Sequence, residues 1–205
     1  MKIMGFVLLL MLSGCASSVS YQQAGSDQFS VPVSDGMAIV ILESTASIRR
    51  SARTNEGIML VVYARENAGL SKDELYEAGN WEFATYPGGT IPFYAGETSY
   101  GVQAFAITPG TYLPVRCVFD RPENEHCRPG EWLHDGRLAG DVSFTIKAGE
   151  VLNVGKLHVV SERKNFYSIE IKNNHEQVEK YVKTNWPSLS GDLRYSPLTV
   201  KLLRD

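Results

Sequence analysis

The chain has 205 residues, 43% of them hydrophobic, and a formal net charge of -3. That length suits one domain with a real core, and the charge balance is ordinary for such a domain. There is no contiguous basic stripe of the kind nucleic-acid binding requires, and no polybasic membrane signal.

The first element is an export signal. Lys2 is followed by an apolar run from Ile3 to Leu12 and then by small residues. The run is too short for a membrane span, which needs roughly 20 apolar residues. It closes in Leu12-Ser13-Gly14-Cys15, which resembles the lipobox of bacterial lipoproteins. The resemblance implies that residues 1–14 are removed and that Cys15 becomes the lipidated first residue, with a diacylglyceryl thioether and an N-acyl chain. Each buried methylene contributes about 0.8 kcal/mol, so two or more chains anchor stably where one does not. In double-membraned bacteria, Ala16 rather than Asp after the cysteine implies the outer membrane, facing the periplasm. Removing residues 1–14 leaves 191 residues with 19 basic and 23 acidic side chains, a net charge of -4.

Residues 15–35 then read as the lipidated cysteine and a flexible Ser/Gln/Gly-rich tether, and residues 36–205 as a single domain. Met37 to Leu42 is a continuous apolar run suited to a buried strand. Residues 44–56, with Arg49, Arg50 and Arg53, read as an exposed loop. Ile58 to Tyr63 is a second buried strand. Ser71 and Glu74 have the spacing of a capping box and predict a helix of one or two turns. Val102 to Ile107 and Tyr112 to Phe119 are further strands, the second interrupted by Pro114, which predicts an edge position or a bulge. Asp120 to Gly140 reads as a long polar loop. Val142 to Ile146 alternates and turns through Lys147 to Glu150 into a strand from Val151 to Val160. Phe166 to Ile171 alternates again. Residues 175–185 carry Val178, Tyr181 and Val182 at helical spacing, and Trp186-Pro187 ends that helix. Pro197 to Leu203 is a last strand.

About eight strands and one clear helix predict a mainly β fold, an antiparallel β-sandwich with a short C-terminal helix. A small β-barrel is the alternative.

Cys117 and Cys127 are an even pair in an exported chain, and a structural disulfide is the favoured reading. A metal site or a redox pair is the alternative, but the spacing is not CxxC and adjacent His126 and Cys127 chelate one ion poorly. His126, His134 and Asp135 share one loop without any recognised metal spacing, so no metal and no cofactor is expected. No nucleophile elbow, paired catalytic carboxylates or phosphate loop is present, and no catalytic residue is assigned. Trp81, Phe83, Tyr86, Phe93, Tyr94 and Tyr100 cluster within twenty residues. They form either a carbohydrate- or peptide-binding face or the filling of the core.

The run Pro109-Gly110-Thr111-Tyr112, then Phe144 to Glu150, Val154-Gly155 and a helix ending at Trp186-Pro187, is similar to a group of bacterial lipoproteins. That group has a carboxypeptidase-regulatory-like or transthyretin-like sandwich. The resemblance covers about residues 36–187 and implies a fold, no activity and no catalytic residues. The expectation is a non-enzymatic, lipid-anchored binding or scaffolding module for another envelope protein or a cell-wall polymer, with no nucleic-acid partner. The alternatives are a cell-wall or metal-dependent hydrolase using the 126–135 loop, and a secretion or assembly accessory lipoprotein.

Overall fold

Strict alternation along β1 (Ala38–Arg50) sets the architecture. Ala38, Val40 and Leu42 point to one face and Ile39 and Ile41 to the other, and all five are fully buried. A strand buried on both faces must lie between two layers. The computed structural model describes residues 36–50, 53–57, 59–77, 81–85, 102–119, 126–127, 131–163 and 166–203. The signal segment, Cys15 and the tether lie outside the described residues.

The remaining strands are β2 (Arg53–Gly57), β3 (Met59–Arg65), β4 (Trp81–Thr85), β5 (Val102–Ile107), β6 (Gly110–Phe119) and β7 (His126–Cys127). They continue as β8 (Trp132–His134), β9 (Arg137–Ile146), β10 (Val151–Arg163), β11 (Phe166–Lys172), β12 (Leu193–Tyr195) and β13 (Thr199–Leu202). The helices are α1 (Lys72–Glu77) and α2 (His175–Asn185). The fold is mainly β. Nine strands follow the order β2-β1-β10-β11-β8-β9-β6-β3-β4, with β5, β7, β12 and β13 paired at its sides. β4, at one end of this path, approaches β1, the strand next to the other end. Thr85 of β4 donates to the Ser44 hydroxyl of β1 at 2.7 Å, and the rings of Phe83 and Phe105 lie 4.9 Å apart. The sheet therefore nearly closes into a barrel, the alternative to the expected sandwich.

Most ladders are antiparallel, but β1 runs parallel to β10, β10 to β12, and β11 to β8. Residues 147–150 are accordingly not a hairpin. They carry the chain from β9 on one side to β10 on the other, and those two strands share no ladder among the described residues. Gly149, at φ 75°, makes this reversal. The β1–β10 register slips between Ile41 and Glu43, where β10 holds one extra residue. Gly155 sits there at φ 86°, and its N–H donates to Asn153 Oδ1 at 2.9 Å. The bulge lets Val154 and Leu157 both face the core although they are three apart.

Two segments differ from the sequence expectation. Residues 44–50 are the far half of β1 and residues 53–56 belong to β2, which pairs antiparallel with it, where a loop was expected. Residues 126–140 hold β7, β8 and the start of β9, joined by a two-residue turn with Asp135 at φ 52° and Gly136 at φ 77°. Asp-Gly is the pair that a tight hairpin of this kind favours. The expected helices form. Ser71 N–H donates to Glu74 at 2.7 Å and Glu74 N–H to Ser71 Oγ at 3.3 Å, which is the capping box. The Pro114 bulge forms too, at the slip opposite Val62 and Tyr63.

Candidate functional site

Among the described residues, a group of buried polar side chains lies on the outer face of β1 and β10, where α2 begins. Earlier in β1, the same face is apolar. Ile39, Ile41, Ala104 and Val151 pack there against Val178, Val182 and Trp186 of the α2 region. Two residues beyond Ile41 stands Glu43, 4% exposed. Its carboxylate accepts from Lys156 Nζ at 2.7 Å and from Asn174 Nδ2 at 3.3 Å. Asn174 in turn accepts through Oδ1 from Asn153 Nδ2 at 3.3 Å. A buried carboxylate persists only with such partners. Asn174 precedes the first residue of α2 but does not cap it with its side chain. Asn173 does that work instead, accepting from His175 N–H at 2.9 Å. The His175 ring stacks on Tyr195 at 5.2 Å, and its Nδ1 is buried without a partner.

Past this network the face opens. His158 of β10 lies between Thr45 Oγ1, 2.8 Å from Nδ1, and Ser47 Oγ, 3.3 Å from Nε2. Glu170 is its cross-strand neighbour on β11, and its carboxyl is held below the usual range, first by the hydrogen bond from Lys172 and then by nearby positive charge. A hydroxyl beside an imidazole invites a nucleophile reading. Acyl transfer also needs preorganised N–H donors for an oxyanion. Ser47 lies mid-strand, paired with Val160 on one side and Glu56 on the other, so its neighbouring backbone groups are committed to ladders. The row can bind by hydrogen bonding; it offers no backbone oxyanion hole.

The sequence-predicted residues fall elsewhere. Cys117 and Cys127 face each other across β6 and β7, joined by a disulfide with Cα atoms 5.1 Å apart. Phe83 cannot belong to a binding surface. It is fully buried and stacks on Tyr63 at 4.8 Å, with Tyr112 at 5.8 Å. Its position, opposite Tyr63 in the β3–β4 ladder, turns its ring inward. The Trp81 side chain and Tyr86, Phe93, Tyr94 and Tyr100 lie outside the described residues. His134 Nδ1 lies 3.1 Å from the Ile169 carbonyl and Nε2 3.4 Å from Asp135. No group of three metal-ligating side chains occurs among the described residues. The His126 side chain is outside them.

Two further features were not legible in the sequence. Within the barrel, the Tyr63 hydroxyl and Trp132 Nε1 are buried without a hydrogen-bond partner. Burial pushes the Tyr63 phenol well above its ordinary value, with Ser44 beside it pulling weakly back. A half-open cleft of about 450 Å³ lies between the 147–150 turn and residues 191–194. Lys147 and Arg194 are balanced there by Glu150 and Asp192, so the cleft favours neither sign of ligand.

No protein-family profile, curated protein or solved structure matches the chain.

Proposed function

We propose that the chain is a lipid-anchored, non-enzymatic binding or scaffolding module of the bacterial cell envelope, held at Cys15 on the periplasmic face of the outer membrane. Leu12-Ser13-Gly14-Cys15 at the end of a short apolar run carries this reading. Residues 16–35 supply reach, and the disulfide-stapled β domain supplies the contact surface. The outer row of Thr45, Ser47 and His158 is a hydrogen-bonding surface of the kind such a module needs. Similarity to carboxypeptidase-regulatory-like lipoproteins fits the same picture and rests on the turn motifs alone. The geometry at His134 does not favour the hydrolase alternative, because a backbone carbonyl and a carboxylate already flank its two ring nitrogens.

The test is crosslinking and pull-down from native membranes, with Cys15→Ala as the mislocalised control. A discrete partner that disappears with Cys15→Ala is expected. A wild-type chain that fractionates with soluble protein would sink the proposal.

A further inference from the structure

We propose that the cleft between the 147–150 turn and residues 191–194 binds a small zwitterion, a molecule carrying both an ammonium and a carboxylate. A free amino acid and a short peptide with both ends uncapped share this chemistry. Every side chain that lines the cleft lies among the described residues. β10 and β12 enter the sheet side by side here, with Val151 opposite Leu193 and Leu152 opposite Arg194 in a parallel ladder. One wall is the turn before β10. Lys147 N–H donates to Glu150 Oε2 at 2.7 Å, and Gly149 N–H donates to the Met37 carbonyl at 2.8 Å. Ile39 N–H donates to the Glu150 carbonyl at 2.8 Å. The other wall is the entry to β12, where Asp192 N–H donates to the Leu189 carbonyl at 3.3 Å and Ser196 N–H to that of Asn153 at 3.0 Å. Both walls are tied down without a ligand, so little freedom is lost on binding.

Opposite charges elsewhere on the described surface close on each other. Lys72 meets Asp141 at 3.1 Å, Lys172 meets Glu170 at 2.8 Å and Lys183 meets Glu179 at 2.7 Å. In the cleft they do not close. Among the described residues, Lys147 Nζ and the Asp192 carboxylate have neither an ion pair nor a hydrogen bond. Arg194 approaches Glu150 alone, at 3.8 Å, which is too far for a hydrogen bond. Glu150 is already engaged by the Lys147 N–H. A simple anion drawn by Lys147 and Arg194 is repelled by Asp192 and Glu150, and a simple cation meets the reverse. A molecule with both signs satisfies both sets, and a cleft focuses their fields. The Arg194 fork matches a carboxylate, and Asp192 accepts from an ammonium.

The size agrees. About 450 Å³ lies within the roughly 300–1,000 Å³ that small-molecule sites occupy. Room also remains at the wall. A Cβ on Gly191 would meet nothing within 4 Å, and the backbone there is outside the left-handed region. The inference stands beside the lipid-anchor reading without resting on it.

The test titrates the isotope-labelled full-length chain, held in a non-ionic detergent, and follows the amide shifts of Ala148, Gly149 and Gly191. The probes are L-alanine, tri-L-alanine, N-acetyl-tri-L-alanine and tri-L-alanine amide. Saturable shifts at those amides are expected with the uncapped probes, and the tighter of the two assigns the site to an amino acid or to peptide ends. Acetylation removes the ammonium and amidation removes the carboxylate. Each should weaken binding of tri-L-alanine about tenfold, the loss of one charge-assisted hydrogen bond. Asp192→Asn should erase the penalty of acetylation, and Lys147→Gln/Arg194→Gln that of amidation. Gly191→Leu, which keeps every charge but fills the wall, should block binding. Lys183→Gln/Lys201→Gln, which removes as many cations elsewhere, should retain it. Capped probes that bind as tightly as the uncapped ones, shifts that never saturate, or equal loss in the control overturn the proposal. No part of this readout depends on a lipid, so failure here leaves the Cys15 reading standing.

Discussion

The two faces of β1 are buried to the same degree by different means. Inward, Ala38, Val40 and Leu42 join the barrel cluster with Tyr63, Phe83, Tyr112 and Phe144. Outward, Ile39 and Ile41 lie under α2, and Glu43 follows on the same face with almost no exposure. The inner face is held by packing, which is strong but has no preferred direction. The outer face is fixed by a carboxylate whose two oxygens bind two different elements, Lys156 of β10 and Asn174 before α2. One apolar stripe can slide on another. A helix tied through Glu43 and Asn153 has one register. The barrel thus supplies cohesion, while the polar junction supplies the placement of α2.

The largest effect should come from the inner face. Phe83 touches Tyr63, Phe105 and Tyr112, so Phe83→Ala should cost about 3–5 kcal/mol, read from urea unfolding midpoints. A cost under about 1 kcal/mol would mean that the aromatic cluster is not the cohesive centre.

The outer junction comes next and is the sharper test. Glu43→Ala strands a half-buried Lys156 and a buried Asn174, and should cost about 2–3 kcal/mol, less than a fully buried pair because Lys156 keeps some solvent. Glu43→Leu with Lys156→Met should recover most of that stability while loosening α2. Amide exchange in residues 175–185 measures the loosening. Full protection in that double variant would show that apolar packing alone sets the register, which erases the distinction between the two faces.

How much of this was legible follows from which contacts are local. The apolar run of Met37 to Leu42, the capping box at Ser71 and Glu74, and the helix ended by Trp186-Pro187 all announce themselves within a few residues, and the structure has each. Asp135-Gly136 announced a hairpin too, but it sat in a stretch whose polarity suggested a loop. Residues 44–56 were misleading for a related reason. Their polar side chains argue against burial, not against strand, and β1 continues past the core edge through ladders to both neighbours. The parallel β1–β10 ladder, which creates the Glu43 network, joins residues more than a hundred positions apart. No local pattern encodes it. Phe83 was legible as aromatic but not as core, since its inward turn depends on the register of β4 against β3.

The smallest effect lies where the inner face meets the rim. The Tyr112 ring stacks on Phe144 at 5.3 Å, and its hydroxyl reaches the Glu82 carboxylate at 2.6 Å and the Thr108 carbonyl at 2.7 Å. A hydroxyl returning to the backbone four residues upstream pins the Pro109-Gly110 turn. Tyr112→Phe should cost about 1 kcal/mol at neutral pH, because partly exposed Glu82 keeps Thr108 Oγ1 and Arg65 as partners. Burial pushes the phenol up, and the hydrogen bond and charge of Glu82 push it further. A raised phenol contributes stability that is complete below the unfolded value of about 10 and fades above it, as the unfolded chain ionises and the folded one does not. The gap between wild type and Tyr112→Phe should therefore be constant from pH 7 to 9 and shrink by pH 10.5. Urea midpoints at those three values decide the matter. A gap that widens with pH would mean that the phenol ionises more easily in the folded protein. That outcome would place Tyr112 with the solvated outer face instead of the barrel interior.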